Sequence, residues 1–423
     1  MAGGSDTGAA HDLIPLLRQA TMELADEAAD FCSELVRTPS LPGSEEECAR
    51  LVLQRMQRLG YDEAFIDGMG NAVGLIRGAV SERPRLMLNA HIDHVEPGDE
   101  AAWDHPPYSG LIRDGFVWGR GASDTKSSVA VQVYSWAVLR RAGLRPPGDV
   151  VVAAVVLEEV GGLGTRHLMD LGPRPDLVVL GEATSNAISL GHRGRTEFVA
   201  EVQGRSSHAS APERGANPHI PLARFQLGLA EIVSRLPEHP ALGPSTLVPT
   251  VYETSSASRN MIPERCRLFL DFRTGGDDVS PVLHALRELM QEVCTTGSED
   301  TSGSVAVSEE AVESYTGVMS RYLNELRAIW IEEDHPFVRA ARGTLQAALG
   351  RPVSLVRWGF CTDGAHTAGV HSIPTIGFSP GEERYTHSCN ERVDIRLMAE
   401  ALLGYASFLA TDWRGHVCQG LCG

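Results

Sequence analysis

The chain has 423 residues, 43% of them hydrophobic and 22% charged, with 43 glycines and a formal net charge of −18. That length exceeds one ordinary core and suits two domains, the composition excludes intrinsic disorder, and so much glycine favours an α/β enzyme with tight strand–helix turns over a helical bundle. An acidic surface of this kind argues against nucleic-acid binding and against docking on anionic membranes, but it admits a small anionic substrate wherever arginines dominate a cleft.

The opening stretch, MAGGSDTGAAHDLIPLL, lacks the basic n-region and apolar core of a signal peptide, and no apolar run is long enough to span a bilayer. Residues 11–60 read as two helices split by the turn Thr38-Pro-Ser-Leu-Pro-Gly43. Strands follow over 71–76 and 85–89. Helical periodicity runs over 124–142, with Asp124 at its start and Gly143 closing it. The unbroken apolar, β-branched run 150–157 fits a strand buried on both faces. A short helix over 163–171 and a second buried strand over 176–180 come next. Buried strands alternating with helices imply an α/β sheet covered by helices on both sides.

The pattern changes near Arg193. Residues 196–204 alternate apolar and polar, with Phe198, Ala200 and Val202 facing inward, as in a half-exposed strand. An amphipathic helix over 218–236 follows, then strands over 247–256 and 265–273, a helix over 279–293, a solvated loop over 295–304 and a strand over 304–308. The order β-α-β-β-α-β is the ferredoxin-like unit. It is inserted, because α/β signals resume with a helix at Pro336, strands over 353–356 and 375–377, and a last helix from Asp394. The expected division is a catalytic part over 1–192, the inserted unit over 193–310, and a second catalytic part over 311–423. No repeat of fixed period is visible. Eight scattered cysteines form no CxxC pair, and the Cys418–Cys422 spacing in a Gly-rich tail reads as incidental, so a reduced, cytoplasmic protein is expected.

The residues suited to chemistry stand nearly all at strand ends. Asn89-Ala-His91-Ile-Asp93-His94 directly follows a strand, and at a spacing of two His91 and Asp93 share one side, where a carboxylate can fix an imidazole for metal ligation. Asp124 stands where a Gly-rich loop turns into a helix, and it also admits the plainer role of an N-cap. Glu158 and Glu159 emerge from an apolar run, a costly placement unless they are paired or metal-bound. Glu182 lies one step past a buried strand, and Tyr385-Thr-His387-Ser-Cys-Asn-Glu391 supplies the last group. Each alone is ordinary, a lone histidine being most often a surface or satisfied core residue and a lone acid a cap. Convergence carries the argument: three consecutive apolar strands each deliver acid or His to the C-terminal edge, where open α/β sheets bind ligands. Hard N and O donors without thiolates favour zinc, manganese or cobalt over an iron–sulfur site. Gly161-Gly-Leu-Gly164 is a weak dinucleotide loop with His167 at the third glycine position, and no G-x-S-x-G element exists.

These ordered motifs, spread from about His11 to Ala410, resemble the M20 metallopeptidase/amidohydrolase family, which includes glutamate carboxypeptidase, succinyl-diaminopimelate desuccinylase, acetylornithine deacetylase and aminoacylase. The resemblance implies an α/β fold: a zinc-peptidase-like catalytic domain with a mixed sheet flanked by helices, plus the inserted ferredoxin-like unit as lid and dimerisation domain. It implies one or two divalent ions per subunit, with His91 and Glu182 on one, Glu159 and His387 on the other, and Asp124 bridging. Glu158 would be the general base and Asp93 would orient His91. His208, in Gly204-Arg-Ser-Ser-His208-Ala, matches the lid histidine that reaches the partner's active site. Asn260 and Arg273 match the substrate-carboxylate clamp, and Gly359 also falls at the substrate. Arg273 suits a carboxylate because its fork binds both oxygens, although it also reads as a surface strand residue paired with Asp271. Gly191-His-Arg-Gly-Arg195, Ser314-Tyr-Thr-Gly317 and Glu333-Asp-His-Pro336 are similar to a branch linked to selenium metabolism.

Thr125, Thr386 and Cys361-Thr-Asp363-Gly depart from the family pattern; they bear on specificity and remove no ligand. The implied activity is hydrolysis of a C–N bond, by amide deacylation or amino-acid or dipeptide hydrolysis, in a small carboxylate-bearing substrate. The implied assembly is a homodimer or higher homo-oligomer with no nucleic-acid or membrane partner. Two other readings are an aminohydrolase releasing ammonia from an aromatic amine such as a nitro-substituted aminobenzoate, and a non-catalytic metal-binding scaffold.

Overall fold

Three short runs of aliphatic and β-branched residues determine where the rest of the chain packs. The computed structural model describes residues 7–416 except 277, 298 and 299. Cys418, Cys422 and the first six residues, on which the tail and leader readings fall, lie outside the described residues.

Helices Thr7–Val36 (α1) and Glu46–Arg58 (α2) precede strands Glu63–Ile66 (β1) and Ala72–Ile76 (β2). Then come Leu86–His91 (β3), helix Ser127–Arg141 (α3), Val150–Val155 (β4), helix Leu163–Leu171 (α4) and Leu177–Leu180 (β5). Every residue of β3, β4 and β5 is buried, as expected of parallel strands covered on both faces. β3 pairs in parallel with β4 on one side and β5 on the other. The full sheet has eight strands in the order β1-β2-β4-β3-β5, continued by Thr375–Gly377, Ile188–Ser189 and Leu355–Val356. It is mixed, because β1 and β2 run antiparallel at one edge. α3 is buried almost all round and packs against α1 and against the last helix, Ile395–Ala410. Phe378, Tyr405, Phe408 and Trp413 close that layer, with ring centroids 5.3 Å apart for Phe378–Tyr405 and 5.7 Å for Phe378–Phe408.

A second sheet is built from Gly194–Gln203 (β6), Thr246–Thr254 (β7), Arg265–Thr274 (β8) and Ser302–Val307 (β9), with helices His219–Val233 and Ser280–Gly297 on one face. The strand order is β7-β8-β6-β9, and the pairs are antiparallel. That is the ferredoxin-like arrangement the sequence order implies. Phe198, Ala200 and Val202 are fully buried, and they join Phe225, Phe272 and Leu286 in a core distinct from that of the first sheet. The strand Glu325–Leu326 adds to β6 at Thr196 and Arg195.

Three features differ from the sequence expectation. The helix after Asp278 continues to Gly297 and β9 begins at Ser302, so the expected 295–304 loop shrinks; Val293 and Cys294 bury against the sheet and extend the helix. The strand expected over 353–356 is only Leu355–Val356, paired with Ile188–Ser189. A hairpin of Glu309–Glu313 (β10) and Met319–Leu323 (β11) lies where the sequence offers no clear period, since most of its side chains are exposed.

The aromatic layer yields the first prediction. Phe378→Ala removes a fully buried ring touching Tyr405 and Phe408, and should destabilise the metal-free protein by about 3–5 kcal/mol. Thermal and denaturant unfolding measure this. A loss below ~1 kcal/mol, the low end for deleted core atoms, would mean that the layer repacks around the gap.

Candidate metal centre

The parallel strands end at one edge of the sheet, and each end carries a donor. His91 is the last residue of β3, Glu158 and Glu159 follow β4, and Glu182 follows β5. The chain must turn sharply to present adjacent carboxylates, and Leu157 does so with φ at 57°. His387 also adopts positive φ, at 54°. For non-glycine residues this is a sparsely populated region, held here by the surroundings. Asp124 is not a helix cap. Its φ of −125° and ψ of 87° are non-helical, and the helix starts three residues later without a side-chain cap. What fixes its backbone is Glu391, a fully buried carboxylate that accepts from the N–H groups of Ser123 at 2.9 Å and Asp124 at 3.0 Å and pairs with buried Arg120 at 2.6 Å. Thr125 donates its hydroxyl to the carbonyl of His91 at 3.0 Å, tying the Asp124 loop to β3.

Asp124 stands between the two imidazoles. Its Oδ1 lies 3.1 Å from His91 Nε2 and its Oδ2 lies 3.2 Å from His387 Nε2. Glu182 approaches His91 Nε2 at 3.6 Å, and Glu159 approaches His387 Nε2 at 3.3 Å. Donor atoms of His91, Asp124 and Glu159 lie within 4.8 Å of one another, as do those of His91, Glu158 and Glu182. Metal–ligand bonds of about 2.0–2.1 Å give a tetrahedron with edges of about 3.4 Å. The four imidazole–carboxylate spacings of 3.1–3.6 Å are of that size.

Asp93 faces His91 with both main chain and side chain. His91 Nδ1 donates to the backbone carbonyl of Asp93 at 2.9 Å, and the carboxylate is 3.6 Å from the same nitrogen. The carboxylate also accepts from the N–H groups of Glu158 at 3.1 Å and Glu159 at 3.0 Å. Buried Glu45 accepts from Leu157 N–H at 3.2 Å in the same turn. Asp93 thus fixes the His91 tautomer through its main chain and the Glu158–Glu159 turn through its side chain.

The electrostatics call for a cation. Burial pushes Glu158 well above the usual carboxylate range, with Glu182 adding to the rise. Burial also raises Glu182 strongly against the pull of His91, and Asp124 and Asp363 reinforce the rise. Burial would raise Asp124 as well, yet hydrogen bonds from His387 and His91 hold it well below its ordinary value. Burial alone would lower His91, but Glu182, Asp124 and Asp93 push it well above the usual imidazole value. Asp124 and Glu159 raise His387 to about 10. Among the described residues no Lys or Arg pairs with Asp124, Glu158, Glu159 or Glu182. Buried carboxylates facing only imidazoles make a hard N/O donor set that matches a divalent ion.

A cavity of about 160 Å³ opens over this cluster, lined by Asp124, Glu158, Glu159, Glu182, Cys361 and His387. It shares Glu158, Glu159, Phe360 and Cys361 with a second cavity of about 330 Å³ that reaches Arg195 and Arg273 on the second sheet. Arg273 is paired with Asp271, which holds its Nε at 2.6 Å, and its side chain lines the cleft, with Nη1 turned to Cys361 Sγ at 3.8 Å. Gly359 lines neither of these two cavities, and a Cβ there would meet Glu383 at 2.9 Å. His208 and Asn260 are brought together on the exposed pair Ser207–His208 and Met261–Ile262, and neither lines the two cavities of this chain. The sequence reading misses Glu45, Arg120, Arg195, Glu310 and Tyr322 at the site. Of these Glu45 and Arg120 lie close in sequence to a turn or motif and Arg195 ends the segment Gly191-His-Arg-Gly-Arg195, but nothing in the sequence places Glu310 and Tyr322 here.

The sequence and the fold have known counterparts. Residues 87–411 match the family described as Peptidase family M20/M25/M40. A relative in Escherichia coli (strain K12), uncharacterized protein YgeY, is 31% identical over 407 residues, covering 94% of this chain and 98% of its own length. Succinyl-diaminopimelate desuccinylase of Paracoccus denitrificans is 31% identical over 260 residues, covering 58% of this chain and 67% of its own. The solved M20 family metallo-carboxypeptidase Sso-CP2 of Sulfolobus solfataricus superposes with a TM-score of 0.71 at 16% identity, over 90% of this chain and 98% of that one. The chain belongs to peptidase family M20/M25/M40 and is a metal-dependent hydrolase of peptide or amide bonds.

Proposed function

We propose that this chain hydrolyses the amide C–N bond of a small carboxylate-bearing substrate, with Glu158 as general base. The observation that carries the reading is the cleft itself, which runs from the His–carboxylate cluster through Glu158 and Glu159 to Arg195 and Arg273. His91, Asp124 and Glu182 would hold one divalent ion and Asp124, Glu159 and His387 a second, with zinc, manganese or cobalt matching the donors. A divalent ion bound there polarises the scissile carbonyl and lowers the pKa of water. Glu158 takes the proton from the attacking water at a carboxylate oxygen and returns it to the leaving nitrogen. Arg273, whose Nη1 edge is free of Asp271, takes the substrate carboxylate, with Gly359 two residues before its neighbour Cys361.

We also infer that residues 193–310 act as the lid and dimerisation unit between catalytic parts 1–192 and 311–423. His208 and Asn260 lie outside this chain's own cleft, which suits delivery to a partner's site in a two-fold assembly. The mixed-dimer test is direct. Combining His208→Ala with Glu158→Gln chains should restore turnover, because one site then keeps both groups; no recovery would place His208 in cis or outside the reaction.

Glu158→Gln should retain its metal and lose ~10²–10⁴-fold in kcat, the usual size of a general-base contribution. A variant with more than half of wild-type turnover would put the base elsewhere.

Chelation should abolish activity, and zinc, manganese or cobalt should restore it. Metal uptake should also expel protons. In the metal-free protein His387 titrates near 10 and is protonated at pH 8, but only neutral imidazole ligates. Apparent metal affinity should therefore rise with pH up to about 10. Calorimetry in buffers of different ionisation enthalpy counts the protons, and His387→Ala should release about one fewer. Equal release from both proteins would remove His387 from the ligand set.

A further inference from the structure

The proposed base leaves the sheet on a stretch of chain that belongs to no ladder or helix. Four consecutive N–H groups, over 156–159, are bound one after another by buried side chains from three distant segments. Asn71 Oδ1 accepts from Val156 at 3.0 Å and Glu45 Oε1 from Leu157 at 3.2 Å. The Asp93 carboxylate accepts from Glu158 at 3.1 Å and Glu159 at 3.0 Å. Beyond the two carboxylates, His366 Nε2 donates to the carbonyl of Gly161 at 2.9 Å. Buried main-chain donors must find partners, and here the partners also set the direction of the chain.

The bond at Leu157 governs that direction. Leu157 is the residue whose φ of 57° turns the chain, and Glu158 comes next. A left-handed leucine is strained and relaxes unless its neighbours hold it. Glu45 stands at the N-cap of α2, yet its side chain makes no bond to that helix. It is fully buried and reaches 112 residues along the chain to Leu157, while its Oε2 meets no donor at hydrogen-bonding geometry. Burying a carboxyl that leaves its own helix uncapped is destabilising, and the turn it binds is where it acts. Burial, with the neighbouring Asp93 carboxylate adding to it, pushes Glu45 up to about 7. Below neutral pH it therefore accepts the Leu157 N–H as an uncharged acid.

We infer that Glu45 is a positioning residue for Glu158: by holding the Leu157 N–H it fixes the left-handed turn that aims the proposed base into the cleft. Its part is to hold main chain and not to meet substrate. The inference rests on the reading of Glu158 as base for its kinetic test, but not for its exchange test.

Glu45→Met keeps the length of the side chain and deletes the acceptor, whereas Glu45→Gln keeps an acceptor. In the metal-saturated enzyme Glu45→Met should lower kcat by about 10–100-fold with KM held within about twofold, the scale on which a small misplacement of a reacting group is felt. Glu45→Gln should restore most of that loss. In a Glu158→Gln background, Glu45→Met should lower the residual kcat by less than about twofold, because nothing is left to position. Hydrogen exchange on peptides spanning 156–159 should quicken in Glu45→Met and slow again in Glu45→Gln, with β3 and β4 unchanged. If Glu45→Met does not fold, Glu45→Asp, one methylene short of Leu157, takes its place with the same expectations. If Glu158→Gln keeps more than half of wild-type turnover, the reading of Glu158 as base falls, and the exchange comparison still decides whether Glu45 holds the turn. An equal loss of kcat in both backgrounds, or unchanged exchange at the turn, would overturn the inference.

Discussion

The rest of the structure depends on one electrostatic constraint: four carboxylates, Asp124, Glu158, Glu159 and Glu182, crowd the ends of three buried parallel strands with only two imidazoles facing them. Like charges at hydrogen-bonding distance in a desolvated pocket repel strongly, which is why burial and mutual repulsion push Glu158 and Glu182 so far up. A divalent ion inverts that balance, because its own charge becomes the largest in the site. Until one binds, the scaffold must keep the donors from splaying apart. It does so with a second ring of groups that bind main chain rather than metal. Asp93 and Glu45 gather the N–H groups of the Leu157–Glu159 turn, and Glu391, neutralised by Arg120, gathers those of Ser123 and Asp124. Lys126, fully buried, donates to the carbonyls of Leu35 and Thr38 and fastens the start of α3 to the end of α1.

This division of labour explains where the backbone departs from its easy conformations. Leu157, just before Glu158 and Glu159, and His387 are among the non-glycine residues that hold positive φ, and both turns present side chains to the carboxylate cluster. Strain at such positions persists only when neighbouring contacts over-determine it. At Leu157 those contacts are identifiable, since its own N–H and the next two are each bound by a buried carboxylate. Removing the Asp93 carboxylate would release two of the three, so Asp93 bears on the base and on a ligand at once although it is itself no ligand.

How much of this was legible in the sequence follows from how locally each feature is encoded. The strands ending at His91, Glu158 and Glu182 announce themselves, because a buried parallel strand must be apolar throughout and a charge just past it stands out. The ferredoxin-like unit is readable because its strands alternate faithfully, as at Phe198, Ala200 and Val202. At Asp124 the sequence admits both a donor and a helix cap, since a cap and a loop carboxylate look alike until φ and ψ are known, and its non-helical backbone removes the cap. The pairing of Asp93 with the His91 ring is legible from a spacing of two, but the further bond from its carboxylate to a turn 65 residues away in sequence arises only in the fold. Glu310 and Tyr322 are invisible for the opposite reason. They lie on an exposed hairpin with no apolar period, and their meaning arises only when that hairpin folds over the cleft.

The two sheets therefore carry separable duties. His91, Glu159, Glu182 and the proposed base stand at strand ends of the first sheet, where burial and shared main-chain contacts hold them. A substitution there disturbs several neighbours together, and its effects on fold, metal and rate are hard to disentangle. The cleft walls come from the second sheet and the hairpin: Arg195 and Arg273 share Asp271, and Glu310 hangs from Tyr322 and Asn324. These groups touch the reaction only through a ligand. Changing which charges line that wall alters which molecules enter while leaving the carboxylate cluster and its supporting N–H contacts intact. For a fold whose chemistry is held by so costly a concentration of buried charge, selectivity can change on the hairpin far more easily than mechanism can change on the strands.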